Sequence, residues 1–555
     1  MSATSATSFV VRTRRRSGRL SGRLAAHPAA AVAVAVLFLS WAALVATHRV
    51  VAMPVPRAAA IADIDANPQQ RSLLAIAHPT RVVLTPVDSH QEIVWFYRGG
   101  KLVLSDVVTT SGRIAFGIEY RAVRYAYGSP VANSPWVLAL LAILFVLMTA
   151  VRPLWRLRNL DVLVAASTTL SILLLNAETP ELEMLATMPA LFYLACRCAC
   201  RALRGAGHEG EVTPIFEIVT RRCSQTTQLR LLRLTGITLA LIVAMVGYSS
   251  GAVVDVANAV LEGATAILHG LVPYGHVPGI LHGDTYPLGS YLFYVPFAAL
   301  TPATSVFNFP QWTLNVAIIA ALAVAAGLWH YGRGHRTRAA RDPRDEAAGL
   351  RMAIAWLTFP PMLVTVSTGT TDVALAAMLF GALLLWRRPA AATTVLAVGG
   401  WFKLYPLALI PAAIAPLRGR AWWRALLGVA LVTLAMIAAL VAIGGTAGMG
   451  QMAHAMVYQV SRTDPHSLWA WLGSVPLQQL AQAATLALIA GAFVVFRRDP
   501  SVASDRTRVA ALFAAVLLGL QIAAGYWTYL YLTWVLPFVV LSLLSDRSTP
   551  TRCCR

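Results

Sequence analysis

The sequence predicts an all-α polytopic membrane protein with a small extracytoplasmic insert that contains β-structure. Of its 555 residues, 57% are hydrophobic and only 12% are charged, and the mean hydropathy is +0.64. Soluble domains carry roughly 25% charged residues. Apolar runs recur along the whole chain, and their lengths and flanking charges predict about twelve to fifteen membrane segments.

Basic residues are in excess, with 45 Lys and Arg against 24 Asp and Glu and a formal net charge of +21. In a soluble chain this balance would suggest a nucleic-acid partner. Here the arginines cluster between apolar runs, which is the positive-inside pattern of cytoplasmic loops. We therefore expect a multi-pass protein of the inner or plasma membrane with both termini in the cytoplasm and no nucleic-acid partner.

Composition divides the chain into five parts: 1–53, a basic cytoplasmic N-terminus and first membrane helix; 54–135, an extracytoplasmic insert; 136–233, three membrane helices and a basic cytoplasmic linker; 234–545, a membrane module; and 546–555, a cytoplasmic tail. In the insert, β-branched and aromatic runs flank a Gly99-Gly100 turn, which predicts a hairpin or small sheet.

Counting outward from the basic loops places four polar loops on one outer face. These are Asp255–Pro287, Ser367–Asp372, Gly444–Gln479 and Gly525–Tyr531. The same count makes Tyr286–Leu300 an interfacial or re-entrant helix. It also makes Ala390–Pro416 two short helices that meet near Lys403. A membrane protein that gathers its polar residues on one face is expected to carry out its chemistry there.

Two carboxylates in the first outer loop are candidate catalytic groups. Asp255 lies at the outer end of a membrane helix, and Asp284 could converge with it. A desolvated carboxylate has a raised pKa and can take a proton from an acceptor hydroxyl, although an isolated Asp at a helix end can equally be solvated. His269, His276 and His282 lie in the same loop, but their spacing matches no compact metal motif, so no metal site or cofactor is firmly implied.

Two charged residues mark the next outer segments. Lys403 is one of only two lysines and lies in an apolar run. It can be a snorkelling interfacial lysine or a cation that holds a lipid phosphate. Asp372 begins a helix after a run of hydroxyl residues, where a carboxylate can act as a cap and dipole partner or take part in binding.

The last two outer loops add further candidate binding residues. Arg462 and His466 suit phosphate recognition. Tyr526 and Trp527 belong to an aromatic string that can be an interface belt or a stacking platform for sugars and isoprenoids. Tyr286 and His282 of the first loop complete the candidate substrate-binding set.

The order of these motifs resembles the GT-C superfamily of polyprenyl-phosphate-sugar glycosyltransferases, and more narrowly the actinobacterial membrane proteins related to family eighty-seven mannosyltransferases. The resemblance covers roughly 234–544. Its motifs are D-x-x-x-x-x-x-x-G-A at Asp255–Ala264, G-L-V-P-Y-G at Gly270–Gly275, D-T-Y-P at Asp284–Pro287, T-D at Thr371–Asp372, W-F-K-L-Y-P-L at Trp401–Leu407, S-R-x-x-x-x-S-L-W at Ser461–Trp469, and Y-W-T-Y-L-Y-L-T-W-V-L-P at Tyr526–Pro537.

The resemblance implies an inverting enzyme of the cell envelope that takes a sugar from a polyprenyl-phosphate donor. It implies an envelope glycan or glycolipid acceptor on the extracytoplasmic face, with Asp255 in the position of the catalytic carboxylate. This chain departs from the family in Tyr286-Pro287-Leu288, where members often have Y-P-P or Y-G-P, and in its large N-terminal insert. Both departures leave the acceptor open.

Two other classes of function remain as alternatives at this point. A lipid or small-molecule transporter would be expected to show paired repeats and broken helices near the bilayer midplane, and the sequence shows no internal repeat. A non-catalytic envelope-assembly protein would tolerate the loss of Asp255.

Overall fold

A computed structural model describes most of the chain from residue 55 onward. The described ranges are 55–86, 91–99, 101–110, 114–119, 128–176, 180–205, 212–248, 253–277, 283–300, 311–333, 342–461 and 466–545. The predicted first membrane helix, His282 and Arg462 lie outside these ranges.

The insert folds as two helices against a four-stranded antiparallel sheet. The helices are α1 (Arg57–Ala66) and α2 (Pro68–Ala77), and the strands are β1 (Arg81–Pro86), β2 (Gln91–Arg98), β3 (Lys101–Thr109) and β4 (Ile114–Glu119), in the order β1-β2-β3-β4. The predicted hairpin is confirmed, since β2 and β3 pair across the Gly-Gly turn. The two helices were not predicted.

Successive side chains along a strand point to opposite faces of the sheet, and both faces of this sheet are buried. Val94, Phe96 and Leu104 lie in one apolar cluster with Ala60 and Ile64 of α1. Ile93 and Trp95 point to the opposite face, where they pack against Ala470 and Trp471. The sheet is therefore held between its own helices and a segment of the membrane module.

A set of helices follows the insert and leads to the basic linker. They are α3 (Pro135–Thr149), α4 (Leu157–Ser167), α5 (Thr169–Asn176), α6 (Pro180–Arg204) and the short α7 (Ile215–Val219), with the two-residue strands β5 (Val151–Arg152) and β6 (Thr213–Pro214). The three predicted apolar segments correspond to α3, to α4 with α5, and to α6.

The membrane module contains helices and connecting turns, with no strand among its described residues. Its α-helices are α8 (Gln225–Tyr248), α9 (Asp255–Leu268), α10 (Leu288–Leu300), α11 (Gln311–Gly332), α12 (Pro343–Leu357), α13 (Pro360–Ser367), α14 (Asp372–Leu384), α15 (Pro389–Phe402), α16 (Ile410–Ile414), α17 (Gly419–Ser461), α18 (Leu468–Leu472), α19 (Val475–Arg498), α20 (Pro500–Ser504), α21 (Arg506–Ala523) and α22 (Leu532–Ser542). Two 3₁₀ turns, Tyr405–Leu409 and Tyr529–Tyr531, complete it.

Length and composition make this a multi-pass membrane protein. Within the described ranges, seven helices are long and apolar enough to cross a bilayer, or eight if the bent pair α12 and α13 forms one span. Six shorter apolar helices accompany them, including α10, α14 and α15. The predicted fold class is confirmed, with the β-structure confined to the insert and the short β5–β6 pair.

Local breaks in the module follow the sequence closely, with one correction. The apolar run around Lys403 divides into α15 and α16, and the C-terminal pair turns between α21 and α22, both as expected. The segment from Gly444 to Ser461, predicted as part of an outer loop, instead continues α17 as helix beyond a kink at Gly445, where φ is +60°. The glycines make the composition of this segment typical of a loop, yet only Gly445 has a non-helical backbone.

Candidate functional site

A buried ion pair lies where α14 begins and α15 ends. Nζ of Lys403 is 2.6 Å from Oδ1 of Asp372, and both side chains are buried. The indole Nε1 of Trp534 donates to the same oxygen at 2.8 Å. Thr371, and not Asp372, occupies the cap position of α14 and makes no side-chain cap, while the hydroxyl of Thr370 accepts from the backbone N–H of Asp372 at 3.3 Å. Asp372 is therefore a partner of Lys403 and not a helix cap.

Aromatic rings surround the ammonium of Lys403. Its Nζ lies 5.3 Å from the ring centroid of Tyr531 and 5.1 Å from that of Trp534, within cation–π range. Tyr531 and Trp534 stack with centroids 4.3 Å apart, and Tyr405 packs against Trp534 at 4.8 Å. The break after α15 and the 3₁₀ turn before α22 bring these side chains together.

The aromatic cluster continues toward His466. Tyr526 packs edge-on against Tyr531, with centroids 5.9 Å apart, and against His466 at 6.2 Å. The carbonyl of His466 accepts a hydrogen bond from the backbone N–H of Trp527 at 2.8 Å. Trp527 itself is enclosed and donates to Gln521, so it is part of the scaffold. Of the two predicted platform residues, only Tyr526 is partly exposed.

Asp255 is the first residue of α9 and is exposed. The preceding backbone N–H, of Val254, donates to the carbonyl of Thr368 at 3.1 Å. Thr368 belongs to the hydroxyl-rich loop that ends at Asp372, and Gly369 of that loop closely approaches Val253. The start of α9 is therefore anchored to the loop that supplies the ion pair's carboxylate.

Asp284 has a different environment from Asp255. Its carboxylate accepts from the backbone N–H of Gly275 at 2.8 Å, beyond the far end of α9. A helix of this length spans roughly 20 Å, and in the described residues no contact links Asp284 to Asp255. The expected convergence is not seen, because residues 270–277 return to residues 283–286 instead of folding back along α9.

Tyrosines fix the segment around Asp284. The hydroxyl of Tyr291 donates to the carbonyl of Gly283 at 2.8 Å and accepts from the N–H of Tyr286. Tyr274 donates to the carbonyl of Tyr286. Asp284 and Tyr286 thus shape the first outer loop, and the ring of Tyr286 stays partly exposed.

The same segment packs against the Lys403 break. The hydroxyl of Ser290 donates to the carbonyl of Phe402. A Cβ at Gly289 would meet the carbonyl oxygen of Trp401 at 2.5 Å, so this close approach requires glycine. The start of α10 and the end of α15 are therefore held together beside the ion pair.

A carboxylate that sequence reasoning missed completes the cluster. Glu183, near the start of α6, is fully buried, and its Oε2 lies 3.9 Å from Nδ1 of His466. The signal was weak, because a glutamate at the start of an apolar helix usually marks only the membrane boundary. Its partner follows it by more than 280 residues, a separation that no periodicity can bridge.

Two further histidines of the first outer loop, His269 and His276, are exposed. His269 contacts the carbonyl of Thr265 on its own helix. Among the described residues, no group of three or more His, Cys, Asp or Glu side chains is placed to hold a metal ion.

The fold and this cluster of polar groups at helix ends define an integral membrane protein with one concentrated site. The family model of glycosyltransferase family 87 matches residues 285–522, a range that contains Asp372, Lys403 and His466. The chain is therefore an enzyme, a GT-C-like glycosyltransferase, and the match favours this class over the transporter and scaffold alternatives. No curated protein matches the chain, and no solved structure does.

Proposed function

We propose that the enzyme moves a sugar, mannose-like or another pentose or hexose, from a polyprenyl-phosphate donor to an envelope glycan or glycolipid on the extracytoplasmic face. The observation that carries the proposal is the hydrogen bond from Val254, which precedes Asp255, to Thr368 of the loop that ends at Asp372. This contact puts a candidate base and the Lys403 ammonium in one set of loops. An acceptor hydroxyl needs a base, and a lipid phosphate needs a cation.

Asp255 serves as the general base in this mechanism. It takes the proton from the acceptor hydroxyl while the oxygen attacks the anomeric carbon, and the bond to the lipid phosphate breaks with inversion. The phosphate is a competent leaving group, so no acid is required. General-base catalysis contributes roughly a hundred- to ten-thousand-fold. Asp284 supports the site indirectly by ordering the first outer loop through Gly275.

Lys403 serves as a cation for the lipid phosphate. An ammonium has three N–H donors, so the bond to Asp372 leaves donors for a second anion. His466, which lies just before α18, and Arg462, four residues earlier in the sequence, supply further positive charge. Partly exposed Tyr286 and Tyr526 offer ring faces to the sugar.

The arginine distribution supports an extracytoplasmic site. Arg497, Arg498 and Arg506 lie at one end of α19 and α21, whereas Asp372 and Lys403 lie at helix ends remote in sequence from such clusters. By the positive-inside rule the arginine-rich ends face the cytoplasm. On the opposite face the family resemblance implies a polyprenyl-phosphate sugar as the donor, because nucleotide sugars are not used there.

Sugar transfer by the purified protein tests the proposal. Radiolabelled polyprenyl-phosphate mannose and a pentose counterpart are offered with a membrane extract as acceptor. The wild type should transfer label, and Asp255→Asn should retain donor binding but lose at least a hundredfold in rate. Wild-type turnover by Asp255→Asn removes Asp255 from the mechanism. Failure of the wild type with both donors contradicts the donor class.

A further inference from the structure

The carboxylate of Glu183 is buried without a hydrogen-bond partner. Its exposed fraction is 0%, and neither oxygen has a partner within the described residues. Thr187, one turn further along α6, is also buried with an unpartnered hydroxyl. Leaving a buried carboxylate unpaired costs several kcal/mol. α6 therefore directs two polar side chains into the protein interior, where no described group forms a hydrogen bond with them.

His466 is the ionisable group that the structure brings to this carboxylate. Nδ1 of the imidazole faces Oε2 of Glu183 at 3.9 Å, and the ring of Tyr526 lies on another side of the imidazole. Tyr526, which packs against the imidazole, is uncharged near neutral pH. Residues 462–465, which precede His466 directly, lie outside the described ranges. A carboxylate at this position favours the protonated imidazole.

The backbone of His466 is fixed from two directions. Its carbonyl accepts from Trp527, and Ser467 caps α18 by accepting from the N–H of Trp469 at 3.2 Å. Glu183 is fully buried behind the ring, while His466 is partly exposed. The negative end of the pair is thus enclosed, and the positive end faces the cluster that contains Tyr526.

We propose that Glu183 is a positioning residue of the donor site. Its carboxylate keeps His466 protonated and holds the ring at Nδ1, so that the opposite nitrogen, Nε2, donates to the phosphate of the lipid-linked sugar. This inference rests on the proposed function. It assigns to α6, which lies outside the family match, a part in binding the substrate.

Binding of undecaprenyl phosphate to the full-length protein in detergent provides the test. Its dissociation constant is measured between about pH 5.5 and 8.5, the range in which a histidine changes charge. The phosphomonoester itself gains a charge near about pH 6, so each variant is compared with the wild type at the same pH, and above about pH 7 the wild type should show little further change. Glu183→Gln should bind roughly tenfold more weakly at the alkaline end, the loss expected for one charge-assisted hydrogen bond, and should recover toward wild-type affinity at the acidic end.

Further variants separate positioning from folding. His466→Gln should bind weakly at every pH, because it has no proton to gain. Glu346→Gln, which alters an ion pair with Arg233 at 2.6 Å far along the chain from this pair, is the matched control and should follow the wild type. If Glu183→Gln cannot be purified, Glu183→Asp keeps the charge but retracts it, and should show a smaller shift in the same direction.

The outcomes distinguish this inference from the proposed function. If the wild type transfers sugar and Glu183→Gln has the wild-type pH profile, the role of Glu183 is wrong while the proposed function stands. If the wild type binds undecaprenyl phosphate with the expected profile but transfers no sugar, the Glu183–His466 pair stands and the proposed function is wrong. An absence of binding by the wild type overturns the phosphate assignment itself.

Discussion

The ion pair of Lys403 and Asp372 joins the end of α15 to the start of α14, with Nζ and Oδ1 2.6 Å apart. Both groups are removed from water, and each stabilises the charge of the other, which would be unfavourable if it were buried alone. The proposed donor site therefore contains a cation whose charge is already partly balanced, and a lipid phosphate bound there would share Lys403 with Asp372.

Lys403→Ala should destabilise the protein and also weaken donor use. Removal of one partner from a buried pair typically costs about 3–5 kcal/mol, and the donor KM should rise because the phosphate loses a cation. Thermal unfolding in detergent and transfer kinetics measure the two effects separately. Arg233→Ala, which breaks a more exposed pair with Glu346, should change stability by only about 0–1 kcal/mol. An unchanged donor KM in both Lys403→Ala and Arg462→Ala would place the phosphate elsewhere.

Trp95→Ala should loosen the contact between the insert and the membrane module. Trp95 stacks on Trp471 with ring centroids 3.9 Å apart, and replacing a buried tryptophan by alanine costs about 3–5 kcal/mol. Trp471 follows His466 by five residues, so the donor KM should rise together with hydrogen exchange in β2. Trp136→Ala, at an exposed tryptophan, is the control. Unchanged exchange in β2 would contradict a docking role for the stack.

The insert should be more stable in acid than at alkaline pH because of Asp106. Burial raises the pKa of Asp106 from its usual 3.8 to about 7, and both its oxygens lack a partner in the described part of the insert. The folded insert therefore binds a proton that the unfolded chain releases above about pH 4. This stabilisation is fully present below that value and is lost as pH rises to about 7.

Glu92 acts in the same direction as Asp106. It lies on the same face of the sheet, because it pairs with Val108 while Asp106 pairs with Val94. Burial raises its pKa, partly offset by the backbone of Val55. Asp106→Asn should flatten the pH dependence of hydrogen exchange in β2 and β3 after correction for intrinsic rates. Asp65→Asn, at an exposed position, should leave the dependence intact, and an equal dependence in Asp106→Asn would rule out this group.

Cysteine labelling should place the first outer loop outside the cell. In a variant without the six native cysteines, His276→Cys should react with an impermeant maleimide in intact cells, since His276 is exposed. Arg222→Cys, exposed in the basic linker, should react only after permeabilisation. The reverse pattern would put the site in the cytoplasm and remove the argument for a lipid-linked donor.

Features governed by local sequence could be predicted. The break near Lys403 was predicted because basic residues at both ends of one apolar run, Arg387–Arg388 and Arg418–Arg424, require the chain to return to the side from which it started. The β2–β3 hairpin was predicted because a Gly-Gly turn lies between two β-rich runs. Both signals lie within or beside the segment whose structure they determine.

Pairings between distant segments could not be predicted. Asp372 and Lys403 were both identified, but as separate candidates, because nothing local shows that one helix end faces the other. Glu183 was missed for the same reason. The helix beyond Gly445 was predicted as a loop because glycine composition cannot tell a single kink from a continuous break.

The kink at Gly445 sets where the C-terminal part of α17 can reach. A straight helix of 43 residues would extend roughly 65 Å, about twice the thickness of a bilayer's hydrocarbon core. Beyond the kink, Gln459 donates to the hydroxyl of Thr285 at 2.5 Å, next to Asp284. At Gly445, φ is +60° and ψ is −157°, a conformation essentially confined to glycine, although a side chain there would meet no neighbouring atom. The direction of the helix's last four turns, and with it the bond to Thr285, therefore depends on the absence of one methyl group.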